Sequence, residues 1–242
     1  MFKRSSLRTS LALALGLFTT AVQAETITAY TGTLPPYTME NGGAPQGIAH
    51  ELVTEMGKRA GIDITIEYMP WKRAQSTVQQ TPNSLLLPTS RTTPREDIYA
   101  WVSQLLVADE VFATKSSSID SLDQARGLKS IAIMGGTPRD KRLHAEGFEN
   151  LTVTKDTITA IRLLDAGRTD AWFTLNHRFF YTLKQEGLDP NGVTVGSPIK
   201  SQQLWLAAHK DFDADTAAAL AKAMEELQAD GTYDAILAKY LN

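Results

Sequence analysis

The feature that most narrows the possible folds is a change of hydrophobic period within one short stretch. In "IAHELVTEMGKRAG" the apolar residues Ile48, Leu52, Met56 and Ala60 recur every four positions and Gly61 follows them. That spacing predicts an amphipathic helix with a glycine stop. Directly afterwards, "IDITIEYMPW" sets Ile62, Ile64 and Ile66 against Asp63, Thr65 and Glu67, the alternation of a half-buried strand. A further alternating strand, Thr26 to Tyr30, precedes the helix across the turn-rich loop "TGTLPPYTMENGGAPQG". Strand, helix, strand is the grammar of a βαβ unit and of an α/β fold.

The middle of the chain repeats that grammar. "SLDQARGLKSIAIMGGTPRDKRLHAEG" predicts a short helix, a buried strand from Ser130 to Met134, a glycine turn and a helix opening at Pro138. "LTVTKDTITAIRLLDAGRTDAWFTL" predicts a strand, a helix capped by Asp156 and closed at Gly167, and a strand from Ala171 to Leu175. The serine cluster "TKSSSIDS" and the segment "VGSPIKSQQ" bracket this second unit, and such shifts in composition suggest two crossings between domains. In the tail, Asp213 is placed to cap a helix whose Ala217, Leu220, Met224 and Leu227 share a face, and Gly231 separates it from a last short helix. Packing against the first domain is the expected role of that tail.

The first 24 residues, "MFKRSSLRTSLALALGLFTTAVQA", combine a basic start with an apolar core and small residues at Val22 and Ala24. They read as a secretory signal peptide cleaved after Ala24. The apolar run is about half of the roughly 20 residues needed to span a bilayer. Residues 25–242 then suit one large domain or two small ones. Export to the periplasm is expected. The chain has no cysteine, which excludes disulfides and thiolate chemistry. Its formal net charge of −3 is unclustered, which argues against nucleic acid or anionic membrane as the main partner.

Candidate chemistry concentrates in "SLLLPTSRTTPREDIYAWV", where a buried strand leads into a hydroxyl-rich loop carrying Arg91 and Arg95. A planar guanidinium forms two parallel hydrogen bonds to a carboxylate, more strongly where water is excluded. On its own the loop reads first as a surface arginine paired with Glu96 or Asp97. Upstream, Trp71 stands at a strand-to-helix junction, either as core or as an apolar wall of a cleft, and Arg73 offers another cation. In "MGGTPRDKR", Gly136 and Thr137 precede a helix whose unpaired N–H groups attract an anion, while Thr137 and Asp140 also fit a capping box. The Gly-Lys-Ser/Thr ending of a phosphate-binding loop is absent. His50, His144, His177 and His209 lack metal-ligand spacing, and no Gly-x-Ser-x-Gly elbow occurs. No metal or cofactor is expected.

In order along the chain, "PPYTMENGGAPQGIAHELV", "SRTTPRE" followed by Trp101 and Ser103, "IAIMGGT", "LLDAGRTDAWF" and "ELQADGTYDAILAKYL" resemble the family 3 extracytoplasmic solute-binding proteins, the polar amino acid type of periplasmic binding protein. The resemblance implies a two-lobed α/β periplasmic binding protein fold (type II), with lobes joined by two hinge strands. Lobe one would hold residues 25–112 and 202–242, and lobe two residues 113–201. It implies that Arg95 grips a ligand carboxylate, that Ser90 matches a hydroxyl position five residues earlier, and that Tyr30 and Tyr37 resemble an aromatic shelf, Tyr37 the better match. Arg91 stays open between ligand, solvent and a structural carboxylate.

One departure stands out. Where family members binding α-amino acids usually carry an aspartate for the ligand ammonium, this chain has Leu175, followed by Asn176 and His177. Either another acid such as Glu110 or Glu51 substitutes, or the ligand is not an ordinary α-amino acid; the arginines favour an anion. The resemblance further implies a monomer that binds a small carboxylate and presents it to an ABC transporter permease or a membrane receptor. The same fold includes dehydratases of small cyclic carboxylic acids, for which Glu51, His177 or Glu110 would have to supply acid and base. Binding without catalysis is the expectation.

Overall fold

The computed structural model describes residues 26–40, 43–44 and 46–241; the expected signal peptide lies outside them. The strands are β1 (Ile27–Thr31), β2 (Ile64–Tyr68), β3 (Ser84–Ser90), β4 (Tyr99–Thr114), β5 (Ile131–Met134), β6 (Leu151–Thr154), β7 (Ala171–Leu175), β8 (Thr194–Val195) and β9 (Lys200–His209). The helices are α1 (Ile48–Ala60), α2 (Trp71–Gln80), α3 (Leu122–Arg126), α4 (Pro138–Ala145), α5 (Thr157–Asp165), α6 (Asn176–Gln185), α7 (Ala214–Ala229) and α8 (Thr232–Leu241).

The strands join in the order β2-β1-β3-β9-β4-β7-β5-β6, with β8 also on β4. Strands β1, β2 and β3 run parallel on one side, and β5, β6 and β7 run parallel on the other. Between these two groups lie β4 and β9, antiparallel to each other from Tyr99 opposite His209 to Glu110 opposite Lys200. The register shifts between Trp101 and Ser103 and again between Gln104 and Leu106, and such irregularities bend a strand. The fold is therefore two α/β lobes joined by two hinge strands.

Layering explains why three leucines run together in "SLLLPTS". All seven residues of β3 are buried. Leu85 and Leu87 face a cluster that includes Leu52 and Met56 of α1 and Leu220 and Met224 of α7. Leu86 faces the opposite way, towards Trp71, Ala74 and Val78 of α2. A strand covered on both faces favours apolar residues pointing to either side, as these three leucines do, and each buried leucine contributes about 1.5–3 kcal/mol over exposure. The same holds for β5, where Ile131 and Ile133 meet Leu143 and Phe173, while Ala132 meets Ile161 and Trp172.

Helix ends follow the local sequence. Gly61 ends α1 at φ 69°, in the left-handed region. The Asp156 and Asp213 carboxylates accept from the N–H groups of Thr159 at 2.7 Å and Thr216 at 2.8 Å, capping α5 and α7. Helix α6 had no such signal: it follows β7 without a break, and no side chain caps it at Leu175. The length of β4 was equally hidden, because its burial pattern does not alternate regularly across the register shifts.

Candidate functional site

Strand β3 delivers Ser90 to the junction of the two lobes. The chain then turns through a single 3-10 turn, Thr93–Arg95, closed by the Arg95 N–H on the Thr92 carbonyl at 2.8 Å. That turn directs Arg95 inwards, where it is 6% exposed. Its NH1 donates to the Ser90 carbonyl at 3.2 Å and its NH2 to Gln75 Oε1 at 2.6 Å. Both acceptors are neutral. Burial lowers the Arg95 pKa, Tyr99 opposes the shift, and the charge of Arg139 adds to it.

A cavity of about 20 Å3, room for about one water, lies beside Arg95. Its walls bring together Ser90, Arg95, Tyr37, Trp71 and Thr137, five of the residues expected from the sequence, with Leu34, Leu175 and Leu204 as apolar surface. Two further arginines line it that the sequence reading did not single out, Arg139 and Arg178. Arg139 stands in the first turn of α4 and Arg178 in the first turn of α6, both 4% exposed. Cations at helix N-termini oppose the helix dipole, and this locally unfavourable placement was the available signal.

Arg178 has neutral neighbours. Its Nε donates to the Pro35 carbonyl at 3.3 Å, NH1 lies 3.9 Å from the Met134 sulfur, and its guanidinium carbon sits 5.5 Å from the Tyr37 ring centroid. Burial, with the charge of Arg139, pulls the Arg178 pKa down to about 10, so it stays protonated at neutral pH. Burial pushes the Tyr37 phenol up to about 12, and its hydroxyl has no hydrogen-bond partner among the described residues. Arg139 NH1 is 3.7 Å from Glu110 Oε1, too far for a hydrogen bond, while Arg142 NH1 lies 2.9 Å from Glu110 Oε2. Glu110, on β4, is 2% exposed.

Arg95 also borders a wider cavity of about 440 Å3, whose charged lining adds Glu110, Lys141, Arg142 and Lys200. A larger one, about 600 Å3, also borders Trp71 and includes Glu40, Asp156, Lys72 and Lys155 in its lining. Its two acids and two lysines balance in formal charge.

Five expected residues, Arg91, Arg73, Tyr30, Gly136 and Asn176, are not in the lining of the small cavity beside Arg95. Arg91 donates to Glu96 through Nε at 3.0 Å and NH2 at 2.9 Å, and stacks 4.6 Å from the Trp205 ring centroid and 5.2 Å from that of Trp101. Arg73 is exposed on α2, and Tyr30 is half-buried against the cluster around Leu86. The Gly136 N–H is taken by Asp140 Oδ2 at 2.7 Å. The Thr137 hydroxyl also serves as a cap, accepting from the Asp140 N–H at 3.2 Å and donating to the Met134 carbonyl at 2.8 Å. Asn176 Oδ1 accepts from the N–H groups of Asp109 and His177, which ties α6 to β4. Of the acids considered in place of an aspartate, Glu51 is held by Lys239 at 2.7 Å and by the Tyr240 hydroxyl, outside the lining of either cavity at Arg95.

Two α/β lobes on paired hinge strands, with buried cations where they meet, define a two-lobed binding protein. Residues 27–242 match the bacterial extracellular solute-binding proteins, family 3, and the chain belongs to that family. No match was found among curated proteins. Among solved structures, a histidine kinase sensor domain with similarity to periplasmic binding proteins superposes with a TM-score of 0.81 at 22% identity, covering 90% of this chain and 96% of that one. An ancestral arginine-binding protein bound to arginine gives 0.77 at 21% identity, covering 90% and 98%. A substrate-binding protein of an ABC uptake transporter from Streptococcus pneumoniae, with bound histidine, gives 0.78 at 19% identity, covering 89% and 92%.

Proposed function

We propose that this chain is a periplasmic solute-binding protein that captures a small carboxylated ligand between its lobes and presents it, by lobe closure, to an ABC transporter. Residues 1–24 serve as signal peptide, residues 25–112 with 202–242 form the first lobe, and residues 113–201 form the second. The carrying observation is Arg95, a buried cation held only by the neutral acceptors Ser90 and Gln75, with no carboxylate partner among the described residues. A ligand carboxylate completes that guanidinium, and a ligand touching both lobes stabilises the closed state by its differential affinity. The protein works as a monomer that binds and does not transform its ligand.

A sensor role is the second reading, supported by the histidine kinase sensor domain among the structural neighbours. There, closure is read by a membrane receptor instead of a permease. A thermal-shift screen over amino acids, dicarboxylates and aromatic acids tests the shared core of both. A true ligand at 100 times its dissociation constant adds about 2.7 kcal/mol of stability. A screen in which no carboxylated compound raises the melting temperature rejects the binding function. Retention of the ligand-loaded protein on a detergent-solubilised permease, and not on a sensor kinase, separates transport from signalling.

A further inference from the structure

Resting on the solute-binding reading, we propose that the ligand is a small organic dicarboxylate without an ammonium group, held between Arg95 of one lobe and Arg139 and Arg178 of the other. The charged groups lining the two cavities that meet at Arg95 support this. Arg95, Arg139 and Arg178 line the smaller, and Arg95, Lys141, Arg142 and Lys200 line the wider. The one carboxylate in either lining is Glu110. It is already shared by Arg139 and Arg142. Asp140, nearby on α4, is turned to the Gly136 N–H and to His144. Arg95 and Arg178 have no carboxylate partner among the described residues, although both are buried.

Uncompensated buried charge is costly, and three guanidinium groups brought together by closure also repel one another. One monoanion leaves part of that excess unmet, whereas two carboxylates offset it and satisfy guanidinium groups on both lobes at once. The buried Tyr37 hydroxyl, without a hydrogen-bond partner among the described residues and on a ring beside Arg178, is a further donor. An ammonium group, by contrast, meets Leu175 and arginines, and its one possible anion is occupied. Leu34, Trp71, Leu175 and Leu204 line the space between the charged groups. That apolar surface suits a carbon skeleton and not an inorganic dianion. Because the inner cavity holds about one water, the ligand enters when the lobes part.

Calorimetry on the wild-type protein with succinate, glutarate, glutamate, norvaline and inorganic phosphate tests the assignment. Succinate or glutarate is expected to bind at least about tenfold more tightly than every other compound. Tighter binding of glutamate, norvaline or phosphate overturns the dicarboxylate assignment, and with either amino acid it leaves the solute-binding function standing. Absence of binding by every carboxylated compound overturns both. Arg178→Gln is expected to weaken the dicarboxylate by about tenfold or more, and unchanged affinity rejects the second-lobe anchor. Leu175→Asp supplies the missing anion and is expected to move preference from glutarate towards glutamate. A folded variant that keeps the wild-type preference contradicts the role given to Leu175.

Discussion

Arg95 reaches back along its own chain and donates through NH1 to the carbonyl oxygen of Ser90 at 3.2 Å. Strand end and cation thus form one rigid unit, with Gln75 of α2 fixing the other side of the guanidinium at 2.6 Å. Such preorganisation lowers the side-chain ordering cost of binding. Arg95→Ala removes one partner of a desolvated charge pair, and the expected loss of ligand affinity is about 2–5 kcal/mol by calorimetry. Unchanged affinity would remove Arg95 from the site.

Arg91, four positions earlier, gives the contrasting case. It is a surface clamp between Glu96 and the Trp101 and Trp205 rings. Arg91→Ala is expected to cost about 0.5–1 kcal/mol of folding stability, from lost stacking at a partly exposed site. Ligand affinity should stay at the wild-type value. A tenfold fall in affinity, measured beside the denaturation curve, would place Arg91 in the binding machinery after all.

An aromatic pair joins the hinge strand β4 to β7 of the second lobe. Phe112 of β4 and Phe173 of β7 stack with centroids 4.3 Å apart and are fully or almost fully buried. Phe173→Ala leaves a cavity beneath the guanidinium of Arg142, and the expected loss is about 3–5 kcal/mol in chemical denaturation. A loss below about 1 kcal/mol would show that the lobe repacks around the gap.

Acid sensitivity is expected at the α7–α8 junction. The carboxyl of Asp230 is held down to about 2, first by the Thr232 hydroxyl, then by the Thr232 N–H and Arg59. An unfolded-chain aspartate titrates near about 3.9, so the folded form is favoured above that pH. The contribution fades as pH falls from there through about 2. Asp230→Asn should flatten stability against pH across that window while leaving the curve's shape near neutrality unchanged. Superimposable acid-unfolding curves for the two proteins would contradict this.

Much of the fold was legible because its signals are local. The four-residue spacing up to Gly61, the caps at Asp156 and Asp213, and the unbroken apolar run of β3 each depend on neighbours within one element. The expectation that Ser90 and Arg95 belong together came from the family resemblance, since the loop by itself reads as a surface arginine; one strand end and one 3-10 turn join the two residues. Tertiary structure decided what no local pattern carries. Arg91 and Arg95 sit in the same loop and share the same chemistry, yet Trp205 arrives from β9 to hold one outside while Gln75 of α2 holds the other within. Arg139, Arg178 and Glu110 come from α4, α6 and the hinge strand β4, and only packing of those elements brings them together. Electrostatic environment is a property of distance in space. The sequence by itself determined the elements of the two lobes, and the fold decided that Arg139 and Arg178 would line the same cavity as Arg95.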